Sequence, residues 1–133
     1  MKQKQLTLLV VDDNLWISSS IKEYYEMRGV LVLDYHDGET LKQDLDDLNF
    51  DIAIVDRSLP GVDGNEIIKL IYEKYNKPRT TRPIIYYSAT PIYRDDAIHP
   101  LVDEICFKGR GAEPVIDAVK RFSRDLNSKK SPE

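Results

Sequence analysis

The sequence predicts an α/β domain whose five-stranded parallel sheet carries helices on both faces. Five short apolar runs alternate along the chain with segments of helical periodicity, and right-handed crossovers between parallel strands place the connecting helices on both sides of a sheet. Polar residues follow where several of these runs end. At 133 residues the chain fits one domain, which is long enough to bury a core without disulfides or a structural metal.

The first unit is a strand followed by a helix. The apolar run Leu6–Val11 predicts the strand, and Asp12-Asp13-Asn14 after it is good N-cap chemistry for a helix that ends near Gly29. Apolar and aromatic residues at helical spacing predict this helix: Trp16, Ile17, Ile21, Tyr24 and Tyr25.

A second and a third unit repeat this order of strand and helix. Val30–Tyr35 is rich in β-forming residues, and the turn after it precedes an amphipathic helix with leucines at positions 41, 45 and 48. Asp51–Val55 predicts the third strand. The loop after it, Leu59–Gly64, contains several helix breakers and leads into a helix over Asn65–Tyr75.

The last two strands are expected over Pro83–Tyr87 and Val102–Phe107. Between them, Pro91 and Pro100 leave room for only a short fourth helix. A closing helix covers Glu113–Leu126, and the polar residues 127–133 form a C-terminal tail or the start of a linker. The predicted domain therefore spans residues 1–126.

Composition limits the class of partner and the compartment. The net charge of -4 and the pI near 5.2 argue against binding to nucleic acid or to an anionic membrane surface. The single cysteine, Cys106, cannot form an internal disulfide, and the chain does not open with a secretory signal pattern. Its apolar runs are too short to cross a bilayer. We therefore expect a soluble cytoplasmic protein.

Five polar side chains lie where predicted strands end, and parallel strands bring their carboxyl ends to one edge of the sheet. They are Asp12 and Asp13 after the first strand, Asp56 after the third, Ser88 after the fourth and Lys108 after the fifth. Ligands bind in this crevice in open parallel sheets. Three carboxylates held close together repel one another unless a cation or a proton intervenes, and Mg²⁺ prefers such oxygen ligands. The set therefore predicts a divalent cation and a phosphoryl group at this edge.

Each of these residues also has an ordinary structural explanation. The two adjacent aspartates could be turn and cap residues, Asp56 the start of a turn, Ser88 a strand-end hydroxyl and Lys108 a solvated lysine. Only the whole set favours a site. The chain has neither a Gly-Lys-Ser/Thr phosphate loop nor a glycine-rich dinucleotide motif, and Cys106 lacks an evident activating base.

Four segments, in this order and spacing, resemble the receiver domain of bacterial two-component response regulators. The segments are Leu8–Asp13, Phe50–Gly64, Tyr87–Ala89 and Val102–Lys108. Any one of them is weak, whereas together they are specific, and the resemblance covers nearly the whole chain. It implies a flavodoxin-like (βα)5 fold with the strand order 2-1-3-4-5, acting in phosphorelay signal transduction.

The resemblance implies that Asp56 is the phosphoacceptor, which attacks the phosphorus of a phosphohistidine on a sensor histidine kinase or a phosphotransferase domain. Asp13 and Asp56 would hold Mg²⁺ together with the backbone carbonyl of Ser58, and Asp12 would act mainly through a water on the metal. Catalysis is then positioning and charge neutralisation. Such a domain catalyses only its own phosphorylation and dephosphorylation, so we do not expect a conventional enzyme.

By the same resemblance, Lys108 and Ser88 would bind the phosphoryl oxygens, and Ser88 would move toward them as a switch. The face of the fourth helix, fifth strand and fifth helix would then contact a downstream effector or a second copy. Two departures from the family pattern affect this switch. Ile105 stands where the family usually has Tyr or Phe, and Gly109 replaces the usual proline, so the cis bond often found there is lost and the loop should be looser.

Two other functions stay open. Ile105 and Gly109 also fit a degenerate receiver that acts as a phosphorylation-independent interaction module, although such a module has no physical need for the complete acidic and lysine set. A Mg²⁺-dependent phosphohydrolase would need an acid two residues past the nucleophile, where this chain has Ser58. Arg57 is left open between a solvated side chain and a role in gating the site, and Thr90 occupies another position where families vary.

Overall fold

The computed structural model describes residues 5–89 and 97–130. Five parallel strands form one sheet in the order β2-β1-β3-β4-β5, as predicted. The strands are β1 (Thr7–Val11), β2 (Leu31–Tyr35), β3 (Ile52–Val55), β4 (Ile84–Ser88) and β5 (Glu104–Phe107). The strand order reverses between β1 and β3, and a crevice opens beyond the strand ends at such a reversal.

Four α-helices accompany these strands in the described part of the chain. They are α1 (Leu15–Glu26), α2 (Gly38–Asp44), α3 (Gly64–Tyr75) and α4 (Glu113–Lys130). Helix α4 is the one predicted as the fifth. The predicted fourth helix falls largely on residues 90–96, which lie outside the described residues, and a 3-10 turn follows them at His99–Leu101. No helix in the described ranges is long and apolar enough to cross a membrane.

Each face of the sheet has its own hydrophobic core. Successive side chains of a strand point to opposite faces, so Leu8 and Val10 pack with α1 and α4 while Leu9 and Val11 pack with α2 and α3. All four side chains are fully buried. Burial on both faces explains why the strands are continuous apolar runs in the sequence, and each such side chain stabilises the fold by about 1.5–3 kcal/mol.

Trp16 lies outside the buried face of α1, although it belongs to the apolar and aromatic set that predicted the helix. Its side chain is 84% exposed, whereas Ile21 and Tyr25 are buried and Ile17 and Tyr24 pack against the core. The buried set follows the spacing i, i+4, i+7 and i+8 counted from Ile17, which describes one helix face. Trp16 precedes that set by one residue and is therefore rotated about 100° away from it.

Two helices differ in length from the prediction. Helix α2 ends at Asp44 and continues as a 3-10 turn over Leu45–Asp47, although Leu41 and Leu45 are buried as expected. Helix α4 runs to Lys130 and so includes residues 127–130, which were assigned to the tail. No glycine or proline interrupts this segment before Pro132, so its composition does not oppose helix.

Candidate functional site

Two buried aspartates follow the central strands of the sheet. The backbone N–H of Asp12 donates to Tyr35 O at 3.0 Å, and that of Asp56 donates to Val11 O at 2.9 Å. These hydrogen bonds extend the strand pairing by one step, so both carboxylates start from fixed, neighbouring positions. Asp12 is 3% exposed and Asp56 is 6% exposed. Asp13 follows at the mouth of the crevice and is exposed.

Local backbone geometry fixes Asp12 further. Its Oδ1 accepts the backbone N–H of Asn14 at 2.9 Å, and the Asn14 side chain accepts the N–H groups of Trp16 and Ile17. Asn14 is thus the N-cap of α1, as the sequence predicted. The turn from β1 into α1 therefore satisfies the first backbone donors of the helix and orients a carboxylate with the same residues.

The side chains of Asp12, Asp13, Asp56 and Lys108 meet at this edge, as predicted. One oxygen from each of the three carboxylates lies within 4.8 Å of the other two. Lys108 Nζ donates to Asp12 Oδ2 at 2.9 Å and lies 3.1 Å from Asp56 Oδ2. A single ammonium group therefore bridges the two buried carboxylates.

Burial and charge pairing shift the pKa values of Asp12 and Lys108. Burial raises the pKa of Asp12, and the nearby charge of Asp56 adds to the increase, while the Asn14 N–H and Lys108 oppose it. Burial lowers the pKa of the Lys108 ammonium, but the hydrogen bond to Asp12 and the charges of Asp12 and Asp56 outweigh that effect and raise it. Lys108 is therefore a permanent positive charge beside the two acids.

The three carboxylates fit a small divalent cation. Mg²⁺ binds oxygen ligands at about 2.1 Å in an octahedron, so opposite ligand oxygens lie about 4.2 Å apart. One carboxylate oxygen from each of Asp12, Asp13 and Asp56 lies within 4.8 Å of the other two, an upper bound slightly above the widest ligand spacing in that octahedron. Because Asp13 is exposed, it could bind an entering cation while the two buried acids remain paired with Lys108.

The remaining predicted residues differ in burial. Ser88 is the last residue of β4, not the first after it; it is buried and pairs in register with Phe107, next to Lys108. Ser58 is exposed, two residues beyond Asp56. Ile105 lies on β5 and is exposed rather than packed in the core. Thr90 is outside the described residues.

Two residues adjacent to the site have limited chemical roles in this structure. Arg57 is half-buried and joins no ion pair with the residues described, while its carbonyl accepts the N–H of Gly64 at 2.9 Å. Cys106 is buried, and burial together with Glu104 raises the pKa of its thiol to about 11. A thiol of that pKa stays protonated near neutral pH, which argues against a nucleophilic role.

Sequence reasoning missed the close packing around the loop after Asp56. An added Cβ at Gly64 would lie 1.9 Å from Asp56 O, and one at Gly38 would lie 1.8 Å from Val62 O. The N-termini of α3 and α2 therefore press against this loop, and only glycine fits at either contact. Gly64 was interpreted only as a helix breaker, and no local pattern indicates which backbone it touches.

Sequence reasoning also missed Tyr87, which contacts the loop that carries Lys108. The Tyr87 hydroxyl donates to Gly111 O at 3.1 Å. The loop begins with a 3-10 turn over Lys108–Arg110, and the Lys108-Gly109 peptide bond is trans. A tyrosine in an apolar strand looks like an ordinary core residue, so its sequence position gave no signal for this contact.

Comparison with known proteins identifies the family to which this fold and acidic cluster correspond. The family model described as Response regulator receiver domain matches residues 8–120. The chain belongs to this family. Residues 8–120 contain Asp12, Asp13, Asp56 and Lys108 and, apart from Thr7 at the start of β1, all five strands, so the membership covers the site as well as the sheet.

Curated and solved relatives agree with this membership. The transcriptional regulatory protein CpxR of Escherichia coli (strain K12) is 34% identical over 71 residues, which cover 53% of this chain and 30% of that protein. The response regulator TrrA of Thermotoga maritima, solved in complex with Mg(2+)-BeF, is 28% identical with a TM-score of 0.76, covering 89% of this chain and 99% of that chain. A complex of the histidine kinase ThkA with TrrA matches with a TM-score of 0.74 and 28% identity, over 89% of this chain and 98% of that chain.

Proposed function

We propose that this receiver domain accepts a phosphoryl group on Asp56 from a phosphohistidine of a sensor histidine kinase or a phosphotransferase domain. The observation that carries the proposal is the bridge from Lys108 to Asp12 and Asp56 beside the exposed Asp13. The relative TrrA has been solved with its histidine kinase ThkA, which supports this class of partner.

The chemistry follows from the positions of the side chains. An Asp56 carboxylate oxygen attacks the phosphorus, a P–O bond forms as the P–N bond to the donor imidazole breaks, and that imidazole leaves with its electron pair and takes a proton. Lys108 Nζ, 3.1 Å from Asp56 Oδ2, neutralises charge on the transferred oxygens. The Ser88 hydroxyl, at the end of the neighbouring strand, supplies a hydrogen-bond donor to the same group.

The proposed phosphoryl transfer uses a divalent cation bound by the acidic residues of the site. Asp12, Asp13 and Asp56 would hold Mg²⁺, with the carbonyl of Ser58 as a further ligand, and the cation would offset the negative charge that the phosphoryl group brings. The complex of TrrA with Mg(2+)-BeF supports this choice of metal. Lys108 then turns from the two acids toward the phosphoryl oxygens, because a dianion attracts the ammonium more strongly than a carboxylate that is already paired with a cation.

Phosphorylation would act as a switch, and the domain would catalyse only its own phosphorylation and dephosphorylation. Added charge favours the arrangement in which Ser88 and Lys108 face the new group. A surface that includes β5 and α4 would transmit this change to an effector or to a second copy. The surroundings of Ile105, which is exposed on β5, would change in this switch. Ile105 lacks the hydroxyl that a tyrosine at this position would carry.

Incubation with acetyl phosphate and Mg²⁺, followed by intact mass measurement, tests the proposal. The native chain should gain the mass of one phosphoryl group, and Asp56→Asn should gain none because its amide is not a nucleophile. Asp47→Asn is the matched control, since Asp47 is an exposed acid away from the sheet edge; it should be phosphorylated normally. An undiminished adduct in Asp56→Asn, or none on the native chain, would reject the proposal and favour an interaction module that works without phosphorylation.

A further inference from the structure

The loop between β5 and α4 holds Lys108 in place although it contains two glycines. Gly109 and Gly111 occupy two of the four positions from Lys108 onward, and Gly111 has a φ of 75°. Glycine increases the number of backbone conformations open to a loop. Lys108 Nζ nevertheless lies within 3.1 Å of two buried carboxylates, and a contact that restrains the loop backbone would favour this position.

Tyr87 provides such a contact from the sheet. It lies on β4 directly before Ser88, is 5% exposed and pairs in register with Cys106. Its hydroxyl donates to Gly111 O at 3.1 Å, and Gly111 N–H donates to Lys108 O at 3.0 Å. Two consecutive hydrogen bonds therefore connect Tyr87 to the backbone of Lys108. The Tyr87 ring also lies 5.7 Å from Lys108 Nζ, within cation–π range.

We propose that Tyr87 is a positioning residue for phosphoryl transfer, which acts by fixing the loop that aims Lys108 at Asp56. The proposal rests on the function proposed above. Tyr87 would touch neither the donor nor the transferred phosphoryl group, and its effect would pass through Gly111 and Lys108. The hydroxyl of a strand residue would thus restrain, from the sheet, a loop that contains Gly109 and Gly111.

Two single-atom changes separate the hydroxyl from the aromatic ring. Tyr87→Phe keeps the buried ring and removes the hydrogen bond to Gly111. Tyr25→Phe is the matched control, because Tyr25 is 6% exposed in the same hydrophobic core and its hydroxyl has no hydrogen-bond partner among the residues described. Both variants remove one oxygen from the same core, but only Tyr87→Phe removes a contact with the Lys108 loop.

The rate of phosphorylation by acetyl phosphate and Mg²⁺ is the first measurement. Tyr87→Phe should react about two- to tenfold more slowly, the range expected for one lost hydrogen bond, and Tyr25→Phe should match the native rate. The same Tyr87→Phe change made in a Lys108→Ala background should cause no further loss, because the residue it positions is gone. An equal fold-loss in both backgrounds, or a native rate in Tyr87→Phe, would overturn the proposal.

Amide hydrogen exchange gives a second measurement that needs no phosphorylation. In the unphosphorylated protein, Gly111 N–H should exchange about two- to tenfold faster in Tyr87→Phe than in the native chain or in Tyr25→Phe. Unchanged exchange would mean that the hydroxyl does not hold the loop. If the native chain took up no phosphoryl group while Gly111 exchange changed as expected, the failure would lie in the proposed function and not in the contact between Tyr87 and the loop.

Discussion

Lys108 shows how one residue offsets part of the negative charge of the site before any cation or phosphoryl group arrives. Its ammonium lies 2.9 Å from Asp12 Oδ2 and 3.1 Å from Asp56 Oδ2, and both acids are buried. Removing one partner of a buried ion pair leaves the other without compensation, which costs more than the pair contributes. The unphosphorylated fold should therefore depend on this lysine for stability as well as for chemistry.

We predict that Lys108→Met destabilises the metal-free protein by about 3 kcal/mol at neutral pH. The methionine keeps most of the apolar stem and removes only the charge, so Asp12 and Asp56 are left to repel each other. Urea unfolding at fixed pH measures the loss. Lys42→Met is the control, because Lys42 pairs with Glu66 at 2.8 Å on the exposed surface, where such pairs contribute about 1 kcal/mol or less. Equal losses in the two variants would contradict the prediction.

At the same scale, the sequence predicted which polar residues meet but not how they are paired. Asp12, Asp13, Asp56 and Lys108 follow continuous apolar runs, and parallel pairing alone is enough to collect them at one edge. The bridge from Lys108 to both acids depends on the loop after β5. The glycines of this loop allow many backbone conformations and do not specify the one that it adopts. Tyr87 and Trp16 show the same limit, because an aromatic residue in an apolar pattern indicates neither its hydrogen bonds nor, at a helix end, its exposure.

At the scale of the elements, glycines decide how closely the helices approach the site. The N-cap of α3 leads into Gly64, where an added Cβ would lie 1.9 Å from Asp56 O and 2.8 Å from Arg57 O. The first turn of α3 thus packs closely against the backbone at and after the proposed phosphoacceptor. The strand and helix boundaries here were predictable from periodicity and breakers, whereas this contact joins backbone atoms and has no sequence pattern.

We predict that Gly64→Ala destabilises the domain by about 1–3 kcal/mol, the usual cost of overpacking, although alanine is the better helix former. The new methyl group must displace the backbone carbonyl of Asp56 or the start of α3. Thermal or urea unfolding measures the loss. Lys69→Ala, at an exposed position of the same helix, should change stability by less than about 0.5 kcal/mol. A Gly64→Ala variant as stable as Lys69→Ala would show that the loop moves away freely.

At the scale of the whole molecule, two separate cores fix the sheet from both sides and leave its carboxyl edge to function. The strand order was predictable through the family resemblance, and the two cores follow from alternation along continuous apolar strands. The length of α4 was not predictable, because residues 127–130 are polar and give no periodicity. Carboxylates that repel one another are thus held close together by hydrophobic packing elsewhere in the molecule.

This arrangement predicts that Mg²⁺ stabilises the whole domain. A cation that binds the folded chain and not the unfolded one raises the free energy of unfolding by about 2.7 kcal/mol at a hundred times its dissociation constant. The gain arises because the cation relieves repulsion among Asp12, Asp13 and Asp56, whose oxygens lie within 4.8 Å of one another. The midpoint of thermal unfolding should therefore rise with Mg²⁺ and approach a logarithmic dependence on its concentration.

Sodium chloride at matched ionic strength separates binding from screening, since screening alone would relieve the same repulsion. We expect sodium to raise the midpoint much less than Mg²⁺. Asp13→Asn supplies the second control, because it removes the exposed ligand while the bridge from Lys108 to the two buried acids remains. This variant should lose most of the Mg²⁺ dependence and keep its stability in sodium. A native chain that responds equally to both salts would have no specific cation site at this edge.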